Sequence, residues 1–461
     1  MKATTKFRLQ AIQYIEKRKN ELTMLSDSIW TLSEPSFEEI RSSRLLMEFL
    51  MKEGFTIQEN VSGFPTVFIA SYGKGKPVVG LYGEYDADAG ASNAVVPRRQ
   101  EIVGQQFGHG GGHNLLGVGS VGAALAIKDL IERKKLKCTI RYYGTTAEGK
   151  LGSKTYLARD GYFDDLDLSL YWHPAPVTIA STVPWDALID MEITLAGRKV
   201  NIMLDKESSP TTTESLEVII DELQTLRAMT NNGIKLNYSI NQSPHSLNET
   251  PDTTRVTIRL QCARQRDAYQ LYEKISSVVT KVRDEGNGQA NIKVIRAIHQ
   301  FLPNVKAMEV VHKNLESLGS IQYTEVEEQF VKQLQQHLGI PSNGIYDKIL
   351  PFADNSGREQ LYGYASDIGD ASWIAPEVYF VVNSLPGVAM HQWPGTMFTG
   401  HSIGHKGMIQ AAKVLALTIV DYIENPPLQK SIREDFEKRR QSYRYRSLLP
   451  TGPPPLTKVS H

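Results

Sequence analysis

The stretch PVVGLYGEYDA (residues 77–87) is apolar until its last few residues. A strand with one solvent-exposed face alternates polar and apolar side chains, whereas an unbroken apolar run indicates a strand buried on both faces. Such strands are typical of parallel sheets that helices cover on both sides. Glu84, Tyr85 and Asp86 then lie at the carboxyl end of the strand, where open α/β sheets bind their ligands.

Further strands and helices alternate around this stretch. Strands are predicted where short apolar runs occur, and helices where apolar residues recur every three or four positions. This alternation predicts a three-layer α/β domain with a mostly parallel sheet. The predicted strands are 66–73, 77–87, 137–146 and 167–174, and the predicted helices are 6–27, 37–53, the segment from the glycine run to about 135, and 152–160.

The pattern changes near residue 188, where several amphipathic strands and two helices follow one another. This change predicts a smaller α+β domain inserted into the larger one. The last residues, PTGPPPLTKVSH, are too rich in proline to build regular structure. The predicted boundaries are 1–187 and 305–445 for the two parts of the larger domain, 188–304 for the inserted domain, and 446–461 for a flexible tail.

The charge balance of the chain limits its partners. The 461 residues contain 51 Lys and Arg and 51 Asp and Glu, so no net field favours nucleic acid or an anionic membrane. We find no stretch with the roughly 18–20 apolar residues of a transmembrane helix. The two cysteines, Cys138 and Cys262, exclude a disulfide framework. We expect a cytoplasmic protein that acts on a small molecule, without nucleic-acid or membrane partners.

The run GHGGGHNLLG (residues 108–117) places His109 and His113 around three glycines. A phosphate loop would close with Lys-Ser/Thr or open directly from a strand as G-x-G-x-x-G, and we predict neither arrangement here. An oxyanion loop of the lipase type would need a G-x-S-x-G motif, which the sequence lacks. A metal site gains support because Glu148, His173 and His391 lie near the ends of predicted strands, and imidazole suits transition metals. A simple glycine turn remains the alternative.

Six motifs follow one another along nearly the whole chain: GEYDA (83–87), GHGGGHNLLG (108–117), GTTAEGKLGSK (144–154), FDDLDLSLYWHP (163–174), SDIGDASW (366–373) and SIGHKGMIQAAKVLALT (402–418). In these motifs the chain resembles the two-metal aminoacylase, carboxypeptidase and aminobenzoyl-glutamate hydrolase family of C–N hydrolases. Its aminobenzoyl-glutamate hydrolase branch is the most similar. The resemblance implies a catalytic domain interrupted by a lid and dimerisation domain, and metal-dependent hydrolysis of an amide between the two.

The resemblance also implies roles for individual residues. His113 and His173 fall on metal ligands, Glu148 on the general base and Asp86 on the acid that orients a ligand. The last metal-binding histidine falls on His391.

The resemblance and the family strings give three further candidate positions. His405 competes with His391 for the last ligand and is otherwise a candidate substrate contact. Asn201 falls where the family has a lid-domain histidine that polarises the scissile carbonyl. Asn248 lies in a family string, and either substrate contact or turn formation explains it.

Two ligand positions of the family are glycines here. Gly111 replaces the cysteine that bridges the two metals, and Gly149 replaces the glutamate ligand that follows the general base. Both belong to the same metal, so we predict that the chain holds one divalent transition metal, zinc or manganese, through His113 and His173. His391 is then a third ligand or a substrate contact. The carboxylates near enough by motif to complete the ligand set are Glu84, Asp86 and Glu148.

These observations lead to two hypotheses of different classes. The first is a one-metal hydrolase that cleaves the C–N bond, as an amide or an activated aromatic amine, of a small carboxylate-bearing and aromatic substrate. Glu148 would deliver the proton to the leaving nitrogen. The alternative is a catalytically silent relative that binds a small ligand in the former cleft. The lid domain of the family also implies a homodimer.

Overall fold

The computed structural model describes residues 3–146, 150–197, 200–201, 203–204, 211–230, 233–242, 248–285 and 289–456. The helices are α1 Ala3–Leu32, α2 Ile40–Lys52, α3 His113–Glu132, α4 Ser153–Arg159, α5 Thr212–Ala228, α6 Gln265–Glu285, α7 Val305–Leu318, α8 Glu325–His337, α9 Ile368–Ala371, α10 Trp393–Thr399, α11 Ser402–Ile423 and α12 Pro426–Arg440. The strands are β1 Thr56–Glu59, β2 Phe68–Gly73, β3 Val78–Gly83, β4 Asp88–Ala89, β5 Phe107–Gly108, β6 Thr139–Gly144, β7 Leu168–Ala175, β8 Ile179–Ala180, β9 Ala187–Ala196, β10 Ile234–Gln242, β11 Thr253–Cys262, β12 Gln289–Ile298 and β13 Glu377–Asn383.

A seven-stranded sheet in the order β1-β2-β6-β3-β7-β13-β8 forms the centre of the larger domain. Its four inner strands, β6, β3, β7 and β13, are parallel, and antiparallel pairs form both edges. Every residue of β3 and of β7 is buried, as the unbroken apolar runs predict. The predicted α/β class with a mostly parallel inner sheet is therefore confirmed.

Helices cover both faces of this sheet. Successive side chains of a strand point to opposite faces, so Trp172 and Tyr171 of β7 show what lies on each side. Trp172 packs toward α3, where a side chain at Gly119 would lie 2.7 Å from its ring. Tyr171 faces α4, where Nζ of Lys154 lies 5.8 Å from the centre of its ring. The three layers are therefore helix, sheet and helix.

The central helix of the first layer is α3. It is buried along most of its length, and its glycines and alanines allow α1 and α11 to pack closely against it. By length and composition α3 could cross a membrane, which corrects the expectation that no stretch is long and apolar enough. Because 83% of its apolar window is buried, the helix has the environment of a protein core.

A second sheet lies within the predicted inserted domain. Its four strands are antiparallel in the order β10-β11-β9-β12, and α5 and α6 pack on it. The strands run from Ala187 to Ile298, inside or next to the predicted range 188–304. The exact domain boundaries stay a prediction. Strand β10 has mostly exposed side chains, so its apolar pattern is too weak to predict it from sequence.

The segment that follows α12 forms no helix or strand among its described residues, 441–456. It nevertheless packs against the larger domain, because Leu449 is buried and Arg159 Nη1 donates to the carbonyl of Pro450 at 2.6 Å. The tail predicted from residue 446 is therefore irregular but held in place as far as residue 456. Residues 457–461 lie outside the described residues.

The turn between β2 and β3 offers a test of the central sheet. Gly73 and Gly75 both have positive φ angles, +87° and +82°. A Cβ at Gly73 would lie 2.2 Å from the carbonyl oxygen of Cys138, whereas a Cβ at Gly75 meets nothing within 4 Å. We expect Gly75→Ala to cost about 1 kcal/mol of unfolding free energy and Gly73→Ala roughly 3 kcal/mol, because only the latter adds a backbone clash. Urea unfolding of both variants measures this difference, and equal losses would contradict the packing described.

Candidate metal centre

Three buried side chains converge at the carboxyl edge of the central sheet. Glu84 follows β3, His113 is the first residue of α3, and His173 lies in β7. One ligand atom from each lies within 4.8 Å of the others. These two imidazoles and one carboxylate form a donor set that suits zinc or a similar divalent ion. Of the three carboxylates left open by the sequence, the structure brings Glu84 to this group.

The two imidazoles are oriented by hydrogen bonds on the side away from Glu84. Asp86 Oδ1 lies 2.7 Å from Nδ1 of His113, and the carbonyl of Pro174 lies 2.7 Å from Nδ1 of His173. Both Nε2 atoms are thereby left to act as ligands. His113 Nε2 is buried 3.2 Å from Glu84 Oε2 and makes no hydrogen bond within the described part of the chain. A buried ring nitrogen that faces a carboxylate without a hydrogen bond to it fits a place for a metal ion.

Glu84 is fixed by a cation that is as deeply buried as itself. Lys154 Nζ lies 2.7 Å from Glu84 Oε1 and 2.7 Å from Asp367 Oδ1, and all three side chains are fully buried. The hydroxyl of Tyr171 donates to Glu84 at 3.3 Å. Asp367 Oδ2 also accepts the backbone N–H of Lys154 at 2.9 Å. Glu84 is therefore held with Oε1 on Lys154 and Oε2 toward His113.

The pKa values of these groups follow from burial and neighbouring charge. Burial alone would lower the pKa of His113, but Asp86 and Glu84 outweigh it and raise the pKa to about 10. Burial, with the neighbouring His113 and His391, lowers the pKa of His173 to about 3. Burial raises the pKa of Glu84, but Lys154 and His113 hold it below its ordinary value. Without an ion, His113 is charged and His173 neutral, so an incoming cation must displace a proton from His113.

His391 lies next to this group, on the loop between β13 and α10. Its ring centre is 5.8 Å from that of His113 and 6.1 Å from that of His173. Its Nδ1 pairs with Asp88 Oδ1 at 3.0 Å, and Asp88 Oδ2 accepts the backbone N–H of Gly111 at 2.8 Å. Asp88 therefore connects His391 to the glycine run through contacts of its two carboxylate oxygens.

The ring of His391 fills the space beside Gly111. A Cβ placed on Gly111 would lie 2.5 Å from Cε1 and 2.6 Å from Nδ1 of His391, so no side chain fits there without moving the ring. Gly111 is the position of the bridging cysteine in the family that the sequence resembles. The structure therefore places an imidazole from another loop at the position where a side chain of residue 111 would lie.

The glycine run has a further role in placing His113. Gly112 precedes α3 with a φ of +81°, a conformation that glycine adopts without strain, and this turn directs His113 into the centre. His109 does not join the group. It is fully buried, and its Nε2 lies 3.2 Å from the carbonyl of Ile29. Of the two histidines in the run, His113 belongs to the buried group of possible ligands.

The other predicted site residues lie elsewhere or outside the described residues. Glu148 and Gly149 are outside the described residues.

His405, on α11, pairs with Asp27 of α1 at 2.8 Å and is not part of the cluster. Asn201 bridges to Glu249 in the second sheet's domain, and its Oδ1 accepts the backbone N–H of Met203. Asn248 is exposed in a turn. Their proposed substrate contacts stay predictions.

Three residues that the sequence does not assign contribute to the site. Lys154 ends one of the motifs, GTTAEGKLGSK, but lysine is rarely buried, so its composition alone does not place it in a centre. Tyr171 stands two residues before His173 in the same strand, so both point to the same side. Asp88 stands two residues beyond Asp86, a spacing that could have signalled another carboxylate at the same edge.

The role of Glu84 as a ligand can be tested by metal affinity. Glu84→Gln removes the charged donor and should weaken Mn²⁺ or Zn²⁺ binding about 10- to 100-fold or more. Tyr171→Phe removes only the 3.3 Å hydrogen bond and should change affinity less than about threefold. Competition with a chelating dye at pH 7.5 measures both, with circular dichroism to verify folding. Unchanged affinity in a folded Glu84→Gln protein would exclude Glu84 from the ligand set.

The buried carboxyl of Glu39, which feels the charge of Asp86, predicts a pH effect on the stability of the protein. Burial and then the charge of Asp86 raise the pKa of Glu39 to about 8, and Thr66 Oγ1 donates to it at 3.2 Å. A folded-state pKa above the unfolded value near 4.5 gives stability that is present below pH 4.5 and lost as the pH rises to about 8. As the pH rises from 5 to 8.5, the unfolding free energy of Glu39→Gln should therefore increase by roughly 1–3 kcal/mol relative to that of the wild type. Urea unfolding in chelator at both pH values measures this gain, and parallel pH profiles would contradict the raised pKa.

The chain is similar in sequence to several curated proteins. One is a subunit of the p-aminobenzoyl-glutamate hydrolase of Escherichia coli (strain K12), which is 28% identical over 96% of this chain and 98% of its own length. The human Xaa-Arg dipeptidase is 22% identical over 95% of this chain and 94% of its own length. No family model matches the chain.

Solved structures share the fold. A putative aminohydrolase from methicillin-resistant Staphylococcus aureus aligns with a TM-score of 0.63, covering 90% of this chain and 100% of its own, at 13% identity. A dinuclear metal-binding peptidase of the M20 family from Bacillus subtilis aligns with a TM-score of 0.57, covering 89% and 99%, at 15% identity. The chain is thus related in sequence to the p-aminobenzoyl-glutamate hydrolase and has the fold of the M20 peptidases, which confirms the resemblance to the metal-dependent amidohydrolases.

Proposed function

We propose that the protein is a metal-dependent hydrolase that cleaves a C–N bond in a small, carboxylate-bearing and aromatic substrate. The scissile bond is an amide or an activated aromatic amine. The observation that carries the proposal is the buried group Glu84, His113 and His173, which fits one divalent ion at the ligand-binding edge of the sheet. The sequence similarity to a hydrolase of aminobenzoyl-glutamate supports the substrate class.

Each residue of the centre has a part in this proposal. Glu84, His113 and His173 would hold a zinc or manganese ion, which polarises a substrate oxygen and lowers the pKa of water. Asp86 keeps the proton of His113 on Nδ1 so that Nε2 faces the ion. Lys154 keeps Glu84 ionised and oriented. Glu148, outside the described residues, would act as general base and return the proton to the leaving nitrogen.

The proposal specifies one ion in each chain. A second ion would need donors at Gly111 and Gly149, and glycine has no side chain to offer. The ring of His391 beside Gly111 supports this count, because it fills the space from which a bridging side chain would reach. The M20 peptidase from Bacillus subtilis is described as dinuclear, so the proposed difference concerns the site and not the fold. His391 is then either a fourth donor or a substrate contact.

The proposal also covers the substrate contacts and the assembly of the protein. Asn201, Asn248 and His405 remain candidate substrate contacts, although the structure places none of them within the buried group. A cytoplasmic homodimer that pairs through the inserted domain remains the expected assembly.

Metal analysis and turnover test the proposal together. Protein purified without chelators should contain about one zinc or manganese ion per chain and should hydrolyse 4-aminobenzoyl-glutamate or a related aromatic amide. His113→Ala should lose both the ion and turnover, because it removes one of three ligands. Glu148→Ala should lose turnover by about 100-fold or more and keep its ion, since general bases contribute rate rather than binding. His312 is a half-buried histidine on α7. His312→Ala is the matched control and should keep both the ion and turnover.

Three results would contradict parts of the proposal. Two ions per chain would refute the one-metal site. Full turnover in Glu148→Ala would exclude its role as base. A well-folded protein that binds no ion and turns over no amide would show a ligand-binding relative without catalysis.

A further inference from the structure

A cavity separate from the metal centre lies where the inserted domain meets the end of the chain. Its volume is about 450 Å³, within the range of small-molecule sites. One wall is the start of α6 with the residue before it, and the opposite wall is the end of α12 with the segment that follows. Gln300 and Trp373 close the remaining sides. None of the residues assigned to the metal centre lines this cavity.

The lining is rich in arginine. Arginines come from both walls, and Glu273 is the one carboxylate among the described lining residues. The arginines that line the cavity are Arg264, Arg266, Arg439, Arg440 and Arg446. Arg446 pairs with Glu273 across the two walls at 3.4 Å, and the other four arginines pair with carboxylates outside the lining. Each guanidinium therefore keeps N–H donors beyond its one carboxylate partner. This arrangement favours an anionic ligand that contacts both domains.

The arginines keep donors free for such a ligand. Arg439 pairs with Asp435 at 2.9 Å and Arg440 with Glu437 at 2.5 Å, and neither carboxylate lines the cavity. A guanidinium has five N–H donors, of which one carboxylate engages at most two. Nε of Arg440 is buried and has no hydrogen-bond partner among the described residues.

A buried acceptor also lacks a partner in the cavity wall. Gln265 is the first residue of α6 and is only 3% exposed. Its backbone N–H donates to Gln300 Oε1 at 2.8 Å, but its own Oε1 accepts no hydrogen bond in the described part of the chain. Leaving a buried amide oxygen unpaired costs about 1–3 kcal/mol. A ligand here should therefore carry an N–H or O–H donor as well as its negative charge.

Aromatic rings supply the apolar part of the wall. Tyr269, Trp373 and Tyr443 line the cavity, and the rings of Trp373 and Tyr443 lie edge to face at 4.9 Å. The guanidinium of Arg446 lies 4.9 Å from the ring centre of Tyr269. Arginine forks bind carboxylates in a bidentate manner, and aromatic walls favour planar ligands.

We propose that this cavity is a second ligand site for a small aromatic carboxylate that bears an amino or hydroxyl group. The carboxylate lies among the arginines, the donor meets Gln265 Oε1, and the ring packs on the aromatic wall. The proposal rests on the described contacts of this cavity and does not require the metal centre to be catalytic.

Calorimetric titration of the full-length protein with 4-aminobenzoate tests the site. We expect saturable binding with a Kd of about 1 mM or tighter, benzoate at least threefold weaker because it lacks the donor, and no binding of aniline, which lacks the carboxylate. Inorganic phosphate should bind at least tenfold more weakly than 4-aminobenzoate, since it cannot use the aromatic wall. Phosphate that binds as tightly as 4-aminobenzoate would overturn the assignment.

Variants then locate the binding. Arg440→Gln and the more exposed Arg264→Gln should each weaken 4-aminobenzoate at least tenfold. Arg433→Gln, which removes the same charge from α12 outside the cavity lining, should stay within twofold of the wild type. His113→Ala should also bind normally, which separates this site from the metal centre. Binding that is lost in His113→Ala but kept in Arg440→Gln and Arg264→Gln would place the ligand at the metal centre and refute the second site.

Discussion

The buried ion pair of Lys154 with Glu84 and Asp367 is the constraint on which the centre depends. Charges removed from water are costly unless they are closely paired, and here one cation at 2.7 Å from two carboxylates satisfies all three groups without exposure. Asp367 also binds the backbone of Lys154, so α4 and the start of α9 are joined at the same point. Glu84 consequently has one orientation, with a single oxygen left for His113 and for a metal ion.

The same charge balance determines how a cation would enter. Glu84 and Asp86 place two negative charges around His113, which therefore carries a proton when no ion is bound. Lys154 offsets part of this charge from the opposite side of Glu84. Binding of a divalent ion would thus exchange a proton for a metal rather than add two charges to a neutral cavity. The neutral His173, oriented by a backbone carbonyl, needs no such exchange.

The fold and the two candidate histidine ligands were within reach of the sequence, whereas the choice among carboxylates was not. Buried strands are recognisable by unbroken apolar runs. His173 stands near the end of one such predicted strand, and His113 stands in the glycine-rich motif. Glu84 and Asp86 are two residues apart, so both reach the same side of an extended chain. The resemblance gives Asp86 the orienting role, and Asp86 lies at Nδ1 of His113, but the sequence leaves three carboxylates open for the metal. Lys154 and His391 act through contacts with residues 70 and about 280 positions away, which no local pattern reveals.

The space beside Gly111 is occupied although glycine has no side chain to fill it. A glycine at this position leaves room for one further group, and the loop after β13 fills it with the ring of His391, itself held at a φ of +62°. A non-glycine residue with this backbone is strained, so the surrounding contacts must hold it, among them the pair with Asp88. A cysteine at 111 would have to displace that ring before it could bridge two ions. The imidazole held beside Gly111 therefore supports the proposal of a single ion, because it occupies the space that a bridging side chain would need.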